Sequence, residues 1–240
     1  MFSKTLFVRL KQAVNIVVLV GDEFNKTSKI PEFNKENIAL TDYKPQEFTT
    51  QETYKDNVDA RNNWYSWRQE MKKKSRPSLA HYSMVDLNHK LTGLTILNKS
   101  TDGLQSSSGI DTVVNLAGNL FEDICIDCNS ISLDNTNSTC PTCKSGVLKP
   151  NIRWFGEGLN TEGKAKAASI VAECEVFIAL GVSDLDDDIS VFPFMAKGNG
   201  SYVVELSEKE SCISSHCNES IRGDVNEILP KFAMLINQIM

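Results

Sequence analysis

Four cysteines in the stretch CIDCNSISLDNTNSTCPTCKSG form two C-x-x-C pairs, Cys125 with Cys128 and Cys140 with Cys143, separated by eleven residues. Each pair lets one tight turn present two thiolates to a single ion, and two such turns complete a tetrahedral Zn²⁺ site. Four thiolates leave no open coordination position, so the zinc this spacing predicts is structural and contributes folding free energy. The Ser, Asp, Asn and Thr residues between the pairs suit a polar loop projecting from the body. Cys174, Cys212 and Cys217 stand apart and read as packing residues or incidental thiols. An odd total of seven, with two C-x-x-C pairs, fits a metal site in a reducing compartment better than a disulfide framework.

The path into this module carries no such chemistry. VVNLAGNLF, Val113 to Phe121, reads as strand and turn, with the inert Ala117 near its middle and Gly118 turning toward the cysteines. A general base needs a titratable group near neutral pH within hydrogen-bond reach of its proton. The three histidines, His81, His89 and His216, are all remote from Ala117 in sequence. His81 reads as a helix-packing residue, and His89 and His216 as surface residues.

Strands alternating with helices must position these groups. Phe2, Leu6, Leu10 and Ala13 recur at helical spacing, and NIVVLVG then reads as a buried strand ending at glycine. From Asp22 to about Asn57 the chain is polar and irregular, with Pro31 and Pro45 as breakers. Ala60 to Pro77 reads as a helix with a basic end at Lys72 to Lys74, residues 78 to 90 as a second helix, and LTGLTIL as a strand. After the cysteines, IRWFGE (Ile152 to Glu157) reads as a buried strand, TEGKAKAASIVAEC as a helix, and EVFIALGVS and SYVVELS as apolar strands. VNEILPKFAMLINQIM is an amphipathic helix with Pro230 expected in its first turn or at a kink. Strands apolar throughout and alternating with helices predict an α/β fold with a parallel sheet covered on both faces. In such sheets ligands bind beyond the carboxyl ends of the strands.

A length of 240 residues, 41% hydrophobic and 23% charged, suffices for a full core with or without a small inserted domain. A net charge of −6 argues against general affinity for nucleic acid, and no apolar run has the length of a membrane span. No targeting signal is evident, so an intracellular, cytoplasmic location is expected.

The order of these features resembles the sirtuins, the NAD-dependent protein-lysine deacylases. The match is best from Thr101 to Glu157, where TDGLQSSSG, VVNLAGNLFEDICIDC, CPTC and LKPNIRWFGE follow the family's order and spacing. The resemblance implies a doubly wound, Rossmann-like parallel sheet with a small inserted zinc-binding domain. It implies one sirtuin-like domain over 1–240. The large part is about 1–40, 92–120 and 150–240; the small part has a helical portion at about 41–91 and a zinc module at about 121–149. It also implies NAD as cofactor, with Gly21, Asp102, Gly181 and Ser183 at the matching cofactor-contacting positions.

Several positions depart from the family pattern. Ala117 stands where the family has its general-base histidine, and a methyl group cannot accept a proton. The Gly-Ala-Gly-x-Ser cofactor loop reads Gly21-Asp22-Glu23-Phe24-Asn25, which places two carboxylates where a diphosphate would press. Asn34 replaces an arginine after PEF, and Lys99-Ser100-Thr101-Asp102 keeps only the aspartate of Gln-Asn-x-Asp. Gly181-Val182-Ser183 is followed by DLDDD, adding four acids near a second nucleotide-contacting strand end. By contrast, Tyr65 and Arg68 form a Y-x-x-R pattern that resembles the acyl-carboxylate reader of class III sirtuins. The alternative is that Trp64, Tyr65 and Trp67 simply cover core.

The expectation is a catalytically inactive or severely impaired relative, a pseudoenzyme that binds a protein or an acylated lysine peptide. The alternatives are an active desuccinylase- or demalonylase-like NAD-dependent deacylase, or a sirtuin-type ADP-ribosyltransferase.

Overall fold

A computed structural model describes residues 2–25, 67, 70–71, 74–110, 112–133, 139–153, 158–159, 161–182 and 187–239. In chain order come α1 (Lys4–Gln12), β1 (Ile16–Val20), a 3₁₀ turn (Asp22–Asn25), α2 (Leu79–Lys90), β2 (Leu94–Asn98), the single turn α3 (Leu104–Ser107) and β3 (Val113–Asn115). Then follow β4 (Gly118–Cys125), β5 (Ile131–Ser132), β6 (Leu148–Ile152), α4 (Thr161–Ala172) and β7 (Val176–Leu180). The chain closes with α5 (Asp187–Gly198), β8 (Tyr202–Ser207), β9 (Glu219–Arg222) and α6 (Val225–Ile239).

Five consecutive buried apolar residues make β1 a strand that must be covered on both faces. It lies inside a six-stranded sheet of order β3-β2-β1-β7-β8-β9, and every pairing in that sheet is parallel. The two-residue strand period sends Ile16, Val18 and Val20 into one core and Val17 and Leu19 into the other. Leu6 and Leu10 of α1, Met84 and Leu87 of α2, and Phe232 and Ile236 of α6 close the first core. Ala167 and Val171 of α4, with Ile189 and Phe192 of α5, close the second. The order reverses between β1 and β7, so the carboxyl ends of those two strands form the switch point where doubly wound sheets bind ligands.

A separate antiparallel sheet, β5-β4-β6, carries the cysteines. Gly118 starts β4 at φ 84°, and an added Cβ there would lie 2.0 Å from the Asn151 oxygen, so this turn demands glycine. The strand expected at Ile152 to Glu157 instead runs from Leu148 to Ile152, and residues 154–157 lie outside the described set. Pro150 disguised it; β6 is an edge strand, where a missing N–H is tolerated. Helix α5 and strand β9 were not anticipated. Pro193 inside α5 reads as a breaker, and the alternating half-buried ESIR of β9 lacks an apolar run. Pro230 is the sixth residue of α6, inside the helix and beyond its first turn, so of the two placements expected for it the first-turn one does not hold. Among the described residues no helix is long and apolar enough to cross a membrane.

Candidate functional site

The sulfur atoms of Cys125, Cys128, Cys140 and Cys143 lie within 4.8 Å of one another. Cys125 and Cys143 are 3.7 Å apart, as are Cys128 and Cys140. Ligands on a tetrahedron at about 2.3 Å from zinc stand about 3.8 Å from each other, so the spacing fits such an ion. Two turns make this possible. Asn129 and Lys144, each directly after a C-x-x-C pair, adopt φ of 56° and 62°, the left-handed conformation that few side chains take without strain. Gly146 is required for a different reason: its added Cβ would fall 2.3 Å from the Cys125 sulfur.

Backbone amides of Asp127, Thr142 and Gly146 donate to the sulfurs of Cys125, Cys140 and Cys143 at 3.4, 3.3 and 3.3 Å. Donors aimed at sulfur favour the thiolate. The Cys140 thiol is drawn down to about 5, first by the Ser130 hydroxyl and then by the Cys143 amide. The Cys143 thiol is also lowered, by the Ser145 and Gly146 amides. Cys125 moves the other way, to about 11: the Cys128 amide lowers it, but burial and the neighbouring thiols outweigh that. A bound cation would offset that crowding of like groups.

At the switch point, Gly21 and Gly181 follow β1 and β7 and are both buried. Their backbones touch closely: an added Cβ on Gly21 would lie 2.2 Å from the Gly181 oxygen. Gly181 has φ +63°, and its added Cβ would meet the Glu23 Cβ at 2.8 Å. The 3₁₀ turn therefore passes directly over Gly181, with the Glu23 amide donating to the Gly181 oxygen at 3.3 Å. Glu23 does not project into the crevice as an unpartnered charge. Its carboxylate is 7% exposed and accepts from the Ser207 hydroxyl at 3.1 and 3.2 Å and from the Glu208 amide at 3.0 Å, at the end of β8. Beneath the turn, Phe24 is fully buried and its ring meets that of His81 edge-on, 4.7 Å between centroids. The His81 Nδ1 accepts from the Ser78 amide at 3.1 Å while Nε2 is buried without a partner, and burial lowers the ring to about 4.

Asp102 is buried beyond β2, where Oδ1 accepts from the Leu104 amide at 2.9 Å and starts α3. Next to it Gln105 is wholly buried, with neither end of its amide hydrogen-bonded. Neither Glu23's partners nor the bare Gln105 amide has a signature in local sequence.

Ala117 lies between β3 and β4, its carbonyl accepting from the Arg153 amide at 2.8 Å. It lines a cavity of about 760 Å³ shared with Asn115, Glu122, Asn151, Arg153 and the first residues of α4. No histidine lines this cavity among the described residues; His89 and His216 are exposed. The Glu122 carboxylate inside it already accepts from Asn119 and Asn151 amides at 3.1 and 3.0 Å.

Of the acids after Gly181, Asp188 is clamped by Arg153 at 3.1 Å, Lys164 at 2.8 Å and the Leu159 amide at 3.1 Å. The Lys164 hydrogen bond, then the Leu159 amide, hold its carboxyl below the usual range. Tyr65, Arg68, Asn34 and Ser183 lie outside the described residues, as do most of the Ala60 to Pro77 segment and residues 184–186.

A model of the Sir2 family matches residues 25–185. The NAD-dependent protein deacylase of Aquifex aeolicus is 29% identical over 206 residues, 84% of this chain and 86% of its own. NAD-dependent protein deacylase 2 of Pyrobaculum aerophilum is 30% identical over 226 residues, 92% of this chain and 91% of its own. Among solved structures, a Sir2 homolog–NAD complex aligns with a TM-score of 0.84 at 23% identity, covering 99% of this chain and 95% of its own. A Sir2 complex with a deacetylated p53 peptide aligns at 0.74 and 21% identity over 100% of both chains. At those identities the likeness of the solved structures speaks to the fold alone.

Proposed function

The chain belongs to the Sir2 family, and from that membership we propose a sirtuin scaffold that binds a protein or acylated lysine peptide with deacylation lost or severely impaired. The observation that carries this reading is Ala117 in the inter-sheet cavity, with no histidine among the described residues that line it. In the chemistry the family resemblance implies, NAD supplies an electrophilic ribose carbon for the acyl oxygen, and a protein base relieves a ribose hydroxyl of its proton. The Ala117 methyl has no lone pair for that proton, and its carbonyl is occupied by the Arg153 amide. Glu122, a carboxylate of the same cavity, is held by two side-chain amides. Loss of general-base help costs about 10²- to 10⁴-fold in rate.

The remaining parts of the proposal follow the family order. Gly21, Asp102, Gly181 and Ser183 are assigned to nucleotide contact by the family order, with NAD binding weakened by the departures around them. The large and small parts divide at the boundaries given above, with Cys125, Cys128, Cys140 and Cys143 holding a structural Zn²⁺ in the small one. Tyr65 and Arg68 read an acidic acyl group, as in class III sirtuins.

The test is direct. Fluorescent peptides carrying succinyl-, malonyl- or acetyl-lysine are titrated by anisotropy, and the same peptides are incubated with NAD and followed by mass spectrometry. Saturable binding, strongest for the acidic acyl groups, without deacylated product is the expected result. Turnover near the ordinary enzyme scale of about 1 s⁻¹ or more would overturn it. Transfer of ADP-ribose to protein would instead favour the transferase alternative.

A further inference from the structure

Three groups meet at the carboxyl ends of the central strands. Gly21 and Gly181 bring the β1 and β7 turns into backbone contact, and the 3₁₀ turn crosses that contact toward β8. There the Glu23 carboxylate takes both donors at the strand end, the Ser207 hydroxyl and the Glu208 amide, across 184 and 185 residues of sequence. Ser207 is fully buried and Glu23 nearly so.

We infer that Glu23 is an internal ligand of the crevice, an autoinhibitory carboxylate occupying donors that would otherwise meet the ribose or phosphate oxygens of a nucleotide. The chemistry is specific to the donors. A hydroxyl and a backbone N–H at the carboxyl end of β8, one strand over from the switch point, are suited to a ligand's oxygen acceptors. A carboxylate is an acceptor alone, so it satisfies both while contributing a negative charge that repels a diphosphate. A nucleotide must therefore displace Glu23 to reach them. Every tenfold bias toward the closed arrangement weakens apparent affinity tenfold.

The inference rests on the crevice being a nucleotide site, the part of the proposed function drawn from family membership. It does not depend on the loss of deacylation, which the peptide assays read separately.

The test is isothermal titration of the full chain with ADP-ribose and with NAD, in the wild type and in Glu23→Ala, Glu23→Gln and Glu23→Ala/Ser207→Ala variants. Each is checked for folding by circular dichroism. Glu23→Ala is expected to bind ADP-ribose at least about tenfold more tightly than the wild type. Glu23→Gln, which keeps an acceptor but not the charge, should fall between them. Adding Ser207→Ala should remove most of the gain, because the released donor is then missing. A tether that only holds the loop predicts a lower melting temperature with no gain in affinity. That pattern overturns the inference, as does a gain that survives Ser207→Ala undiminished. If Glu23→Ala does not fold, Glu23→Gln carries the same comparison: affinity equal to or weaker than wild type overturns the inference.

Discussion

The four-thiol module and the crevice at the ends of β1 and β7 use buried polar groups in opposite ways. In the module, amides of Asp127, Thr142 and Gly146 point at sulfur, and the thiols stand at the spacing of tetrahedral ligands. The arrangement crowds like groups together and is relieved by an ion from outside. In the crevice, the Ser207 and Glu208 donors are already matched by Glu23 from inside the chain. The module leaves like groups crowded until a ligand arrives, whereas the donors at the end of β8 are satisfied from within the chain while the Glu23 charge stays in place. The two regions lie in one chain, so retention of the fold does not by itself retain every site the fold carries.

The largest effect expected from breaking this comparison is at the metal. Cys140→Ser should lower bound zinc from one per chain to none and unfold the small sheet, because structural zinc contributes apparent free energies of about 10 kcal/mol or more. Elemental analysis gives the stoichiometry. Hydrogen exchange should show β4 to β6 losing protection while β1 and β7 keep theirs. Joint loss of both sheets would mean that the regions are not independent.

A smaller effect probes the support beneath the crevice. His81 has its folded-state value lowered to about 4 by burial, so the unfolded chain binds a proton that the folded one refuses between about 6.5 and 4. The stability is fully present above pH 6.5 and is lost as pH falls toward 4, about 1 kcal/mol of it by pH 5.5. Urea unfolding at pH 7.5 and 5.5 should show this loss in the wild type and a smaller one in His81→Phe. Equal losses in both would place the acid sensitivity elsewhere.

The smallest expected effect is the most discriminating. Ala117→His places an imidazole in the cavity but leaves Glu23 on Ser207 and Lys99 beyond β2. Nicotinamide release in the presence of NAD and a succinylated peptide should stay at background. Appreciable release by this single variant would show that the base alone was missing and would remove the contrast between the two regions.

Much of this was legible in the chain itself. IVVLV and VFIAL read as strands buried on both faces, because a one-sided sheet does not accept five apolar residues in a row, and the fold then pairs them in parallel. The C-x-x-C spacing announced the cluster because knuckle geometry is local. Edge strand β9 and helix α5 were not legible: one lacks an apolar run and the other contains Pro193. The expectation that Glu23 presses toward an incoming diphosphate also needs revising. Sequence identified the charge, but not that its carboxylate turns back to Ser207.

Sequence alone determined which chemistry was available. The four thiols, the positions of the three histidines, and an alanine at position 117 are facts of composition and order. Tertiary structure decided which groups meet. Glu23 reaches Ser207 across 184 residues, and Asp188 draws together Arg153 and Lys164 from different segments. Such contacts have no period or spacing to betray them, because they arise only when β1, β7 and β8 lie side by side and set their ends at one level.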